Sequence, residues 1–122
     1  AHFMTMVKQQ GALLAKGRLM GLQFDVLFTD GLYTEISKNA IETAAVLKKG
    51  LAEKGYQFFM DSPTNQIFPV IPNTRKSALD QLCAYEDWCP GPTPDTTVIR
   101  FVTCFATTAE DVDGFLAAAA KF

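Results

Sequence analysis

The sequence predicts an α+β fold in two layers: a small, mostly antiparallel three-stranded sheet with helices on one face, preceded by a long N-terminal helix. Three observations predict it. Segments of helical and strand periodicity alternate in the order α-α-β-β-α-β-α. Only "DSPTN" separates the first two strand-like runs, a link short enough to make them antiparallel neighbours. The total of 122 residues, 48% of them hydrophobic and 20% charged, suits one globular domain with a real core.

Residues 3–27 carry Phe3, Met6, Val7, Leu13, Leu14, Leu19, Met20, Leu22, Phe24 and Leu27 at broadly helical spacing. Lys8, Lys16, Arg18 and Asp25 rule out a membrane span there. Gly11, Gly17 and Gly21 each cost a helix about 1 kcal/mol relative to Ala, so a helix that still forms expects a neighbouring backbone. Its apolar residues cover more than one side, which predicts a partner beyond this chain. The chain opens without Met, directly into this pattern and with no clear N-cap. The expectation is a piece of a larger protein.

The second helix, "DGLYTEISKNAIETAAVLKKGLAEKG", is the clearest. Asp30 is the expected N-cap, and Leu32, Ile36, Ala40, Ala44, Leu47 and Leu51 share one stripe. Lys48, Lys49 and Lys54 suit the negative end of its dipole, and Gly55 suits the C-terminal stop. "YQFFM" and "QIFPVI" read as strands. Pro69 cannot donate to a ladder, so the second is expected at an edge or bulged. "PNTRKSALDQLCAYE" opens a short helix capped by Asn73 or Thr74. "EDW" at 86–88 reads as surface charge before a rigid loop, "CPGPTPD". Residues 97–105 make the third strand, and Thr107 or Thr108 caps a last helix running through "DVDGFLAAAAKF".

Charge and composition exclude several functions. A net charge of -2 without a basic run offers no footprint for nucleic acid or anionic membrane. Cys83, Cys89 and Cys104 form neither a disulfide framework nor a zinc pattern; reduced thiols in a cytoplasmic protein are expected. The one histidine, His2, lies at the start, which argues against a catalytic dyad or triad. No phosphate-cradling glycine motif is present. No metal site is expected.

One residue stands out. Val98, Arg100 and Val102 share one face of the third strand. A guanidinium between two valines either snorkels to a sheet edge, forms a structural ion pair, or meets a ligand carboxylate in a bidentate, charge-assisted pair.

The segments "KQQGALLAKGRLMGLQFDVLFTDGLY", "DSPTNQIFPVIPN" and "VIRFVTCFATTAEDVDGFL" together resemble the C-terminal part of the low-specificity threonine aldolase and β-eliminating lyase family. The resemblance spans roughly residues 3–120. It implies the aspartate-aminotransferase-like fold, pyridoxal 5'-phosphate as cofactor of the parent enzyme, and a homo-oligomer. It implies that residues 1–29 are the end of the large domain or a connecting helix and that residues 30–122 are the small C-terminal α+β domain. The Schiff-base lysine and the residues that hold the cofactor ring lie upstream of "KQQGALLAKGR", so the chain alone is expected to be inactive. It also implies that Arg100, in "VIRFVT", grips the substrate's α-carboxylate. Lys8 is a candidate contact to cofactor phosphate or a neighbouring subunit, against a plain reading as surface charge. Thr64 and Asn65 are candidates to line the active site, against a plain reading as turn residues. The implied reaction is cleavage of threonine-like β-hydroxy-α-amino acids to glycine and an aldehyde. Two alternatives stay open: β-elimination on the same fold, and a stand-alone α+β module that binds small carboxylates through Arg100.

Overall fold

The computed structural model describes residues 2–119. The chain divides between Glu35 and Ile36 into two compact units. The fold class is as predicted: α+β, with an antiparallel sheet and helices packed on it. The sheet has five strands rather than three, and residues 3–27 are not one helix.

In the first unit, α1 (Phe3–Gln9) stops before Gly11, which takes a left-handed φ of 69°. A 3-10 turn, Ala15–Gly17, follows, with Lys16 at φ 56° and Gly17 at φ 66°. Only then does α2 (Arg18–Phe28) begin. Left-handed backbone is cheap for glycine and incompatible with a continuing right-handed helix, so Gly11 and Gly17 interrupt the expected helix, while Gly21 sits inside α2. Neither α1 nor α2 contains a buried residue. Phe3, Leu14, Leu19, Leu22, Phe24 and Phe28 are all more than half exposed.

Helix α3 (Leu32–Glu53) starts two residues after Asp30. Asp30 and Gly31 both have left-handed φ, 53° and 76°, so the residue flanking the helix is Gly31 and not the expected Asp30. The helix ends as Gly55 implied. Gly55 (φ 85°) donates its N–H to Ala52 O at 2.9 Å, and Tyr56 donates to Leu51 O at 3.1 Å, which is the paired closure of a Schellman motif.

The sheet comprises β1 (Gln57–Phe58), β2 (Gln66–Ile67), β3 (Pro69–Pro72), β4 (Glu86–Pro90) and β5 (Thr96–Val102). β1 pairs with β3, and β2, β3 and β4 all pair with β5, every pair antiparallel. β2 and β3 follow one register along β5, Gln66 opposite Val102 and Val70 opposite Val98. They are one run interrupted at Phe68–Pro69, where the proline has no N–H to give. The expected edge or bulge is corrected for β3, which holds Pro69 and is interior between β1 and β5; β2 pairs with β5 alone, and the ladder is broken between the two.

Helix α4 (Lys76–Leu79) follows a 3-10 turn, Asn73–Arg75, with no side-chain cap; Asn73 instead accepts a hydrogen bond from Thr97 Oγ1 at 2.7 Å. At the start of α5 (Ala109–Ala119) the expected cap is present. Asp111 N donates to Thr108 Oγ1 at 3.1 Å while Thr108 N donates back to Asp111 Oδ2 at 2.9 Å, a capping box with Asp in the Glu position. The part of the predicted last helix beyond Ala119 lies outside the described residues.

The core forms where the stripe of α3 meets one face of the sheet. Ala44, Leu47 and Leu51 pack with Ile67, Ile71, Ile99 and Phe101, joined by Leu79 of α4 and Val112 of α5. Ile99 is fully buried. Burying such side chains contributes about 1.5–3 kcal/mol each. Strand alternation sends Arg100 to the opposite face.

Candidate functional site

The face of the sheet away from the core carries a polar cluster built on β5. Arg100 is directly opposite Glu86 of β4 in the ladder, so both side chains leave the sheet on one side. β4 has an irregularity between Asp87 and Cys89: Asp87 pairs with Ile99, Cys89 pairs with Val98, and Trp88 is the extra residue. A bulge of this kind re-aims a side chain. Here it turns the Trp88 ring under the Arg100 guanidinium, 5.2 Å from the ring centroid to Cζ. Trp88 in turn meets buried Phe68 edge to face, centroids 5.3 Å apart.

Arg100 is held on three sides. Its Nη2 donates to Glu86 Oε2, its Nη1 donates to Gln66 Oε1 at 3.3 Å, and its plane lies over Trp88. Its Nε is buried and finds no hydrogen-bond partner among the described residues. The Arg100 side chain is 28% exposed and that of Glu86 56%. An orphaned donor in a charged, half-buried fork is costly, and a bidentate acceptor removes the cost.

The other residues singled out in the sequence fall elsewhere. Asn65 extends the β2–β5 pairing: Thr103 N donates to Asn65 O at 3.0 Å and Asn65 Nδ2 donates to Thr103 O at 2.8 Å. Thr64 Oγ1 accepts from Gln66 N at 3.2 Å and shares a hydrogen bond with Ser62 Oγ at 2.9 Å. Both are engaged in local turn and ladder chemistry, and it is the next residue, Gln66, that reaches Arg100. Lys8 is exposed on α1 in the first unit. Glu86, Trp88 and Gln66 were not singled out as site residues. The signal that could have found them is pairing register, which a single strand does not display.

The chain is similar to a threonine aldolase from Leishmania major. That solved structure is 34% identical, superposes with a TM-score of 0.81, and is matched over 96% of this chain. The match covers 34% of the aldolase, so the chain spans about a third of that enzyme's length. No protein-family model and no curated protein matches the chain.

A threonine aldolase relative raises the question of an aldehyde cofactor held as an imine. Such a group needs a lysine facing an enclosed cavity. Among the described residues, Lys48 is engaged by Asp61 and Lys76 by Asp87, while Lys38 and Lys49 are exposed beside Glu42 and Glu53. Lys54 lines an open cleft of about 430 Å³ with Tyr56, Val70 and Arg75. These residues do not fit the group. The described residues hold no cluster of three metal-ligating side chains, and no described helix is long and apolar enough to cross a membrane. Burial, and then the charge of Asp80, push the Cys83 thiol up, which disfavours it as a nucleophile.

Proposed function

We propose that this chain is the C-terminal, substrate-carboxylate-binding part of a pyridoxal-phosphate-dependent aldolase. The complete enzyme cleaves β-hydroxy-α-amino acids of the threonine type to glycine and an aldehyde. The observation that carries the reading is Arg100. It is a half-buried guanidinium whose buried Nε has no partner among the described residues, on the sheet face opposite the core, in a chain 34% identical to a threonine aldolase over 96% of its length. The cofactor, bound by the remainder of the enzyme, supplies the electron sink. This chain's residues bind and orient. Arg100 takes the α-carboxylate in a fork, Trp88 and Gln66 fix the plane of that fork, and the fixed carboxylate sets the angle of the bond to be broken.

The same reading makes residues 1–29 a connecting segment whose exposed apolar side chains meet the rest of the parent protein. It also makes the parent a cytoplasmic homo-oligomer, with the chain inactive alone. Purified full-length protein given L-threonine and L-serine tests the reaction. Glycine with aldehyde in equal amounts supports aldol cleavage; ammonia with a keto acid replaces it by β-elimination. Release of neither overturns both.

A further inference from the structure

A site that receives a carboxylate already holds one. We infer that Glu86 is a displaceable counter-ion: it occupies Arg100 when no substrate is bound, keeps the guanidinium aligned on Trp88, and gives it up to the substrate's carboxylate. This inference rests on the carboxylate-binding reading of Arg100.

Three observations carry it. The pair is set by backbone register, because Glu86 and Arg100 are direct partners in the β4–β5 ladder. Two side chains so placed leave the same face about 5 Å apart at Cβ, so their meeting is built into the fold. The second observation is the hydrogen-bond count. Nη2 and Nε form one edge of the guanidinium fork. Glu86 fills Nη2 alone, and Nε stays buried without a partner among the described residues. A bidentate ligand carboxylate on that edge fills both donors, so the exchange replaces one charge-assisted hydrogen bond by two. The third is an asymmetry of anchoring. The Glu86 side chain is 56% exposed and re-enters water freely, whereas Arg100 is 28% exposed, lies over Trp88 and is tied to Gln66. On displacement the acid moves and the arginine stays.

The arrangement also selects ligands. A small anion that offers one oxygen gains nothing over Glu86. A carboxylate that takes the whole edge, with further contacts elsewhere on the substrate, gains the orphaned donor. Glu86 therefore acts through Arg100 as a positioning residue that raises the threshold for occupancy.

The test uses the full-length protein with Glu86→Gln, Glu86→Ala and Arg100→Lys. Removing the competing charge lowers KM for the β-hydroxy amino acid by about two- to fivefold, the scale of a partly exposed ion pair. The effect falls on KM rather than kcat, and the inhibition constant of acetate falls with it. If Arg100→Lys raises KM while both Glu86 variants keep the wild-type KM, the counter-ion inference fails and the carboxylate reading stands. A higher KM in both Glu86 variants makes Glu86 a support rather than a competitor and overturns the inference. So does failure of both to fold, which makes it structural. If Arg100→Lys leaves KM unchanged, the carboxylate reading fails and takes the inference with it.

Discussion

Trp88→Ala is the substitution that most sharply probes how the Arg100 cluster is held. The ring makes two specific contacts, with the Arg100 guanidinium at 5.2 Å and edge to face with Phe68 at 5.3 Å. A cation–π contact at a partly exposed site contributes about 0.5–1 kcal/mol. An edge-to-face aromatic pair contributes about 0.5–1.5 kcal/mol beyond its buried area. Removing both costs about 1–2.5 kcal/mol of unfolding free energy. Urea unfolding of the chain followed by far-ultraviolet circular dichroism measures it, since the substitution removes the single tryptophan and its fluorescence. Trp88→Phe, which keeps an aromatic face for both partners, loses less than half as much. A Trp88→Ala loss under about 0.5 kcal/mol, the range of ordinary surface substitutions, refutes the claim that the ring anchors this face.

Gly91→Ala brings a Cβ to 2.2 Å from Thr96 Oγ1 and 2.8 Å from the Thr96 backbone carbon, where the β4–β5 connection closes. It destabilises the chain by about 1–3 kcal/mol, read by thermal melting, and an unchanged midpoint contradicts the tight approach. Thr108→Ala removes one half of the α5 capping box and costs about 1 kcal/mol in the same measurement. Tyr85 donates its phenol proton to Asp80 at 2.5 Å, and chiefly that hydrogen bond pushes its pKa up from 10.0 to about 12. The folded state thus holds the proton more tightly than the unfolded chain. The contribution is complete below pH 10 and is lost as pH rises toward 12. Denaturation of Tyr85→Phe from pH 9 to 12 shows a flatter decline than the wild type; identical slopes contradict the bond.

What was legible in the sequence was local. The stripe of α3, the stop at Gly55 and the start of α5 at Thr108 each depend on residues within one or two turns. The alternation of β5 was equally plain, and with it the isolation of Arg100 between Val98 and Val102. What was not legible depended on partners distant along the chain. "EDWCP" carries two charges and a proline, shows no alternation, and is a strand only because β5 pairs with it. The interior place of Pro69 depends on β1 and β5 flanking it. The break in residues 3–27 was present as Gly11 and Gly17, but glycine permits a left-handed turn without requiring one. The Arg100 environment was half visible: the arginine was conspicuous, while Glu86, Trp88 and Gln66 converge on it only through register and a bulge.

The central claim is that Arg100 receives the substrate's carboxylate, and exchanging it for lysine in the full-length enzyme tests that directly. Lysine keeps the charge and loses the fork. Losing a charge-assisted hydrogen bond of about 1.5–3 kcal/mol predicts a KM for threonine raised roughly 10- to 100-fold, with a smaller change in kcat. A KM and kcat indistinguishable from the wild type would contradict the account.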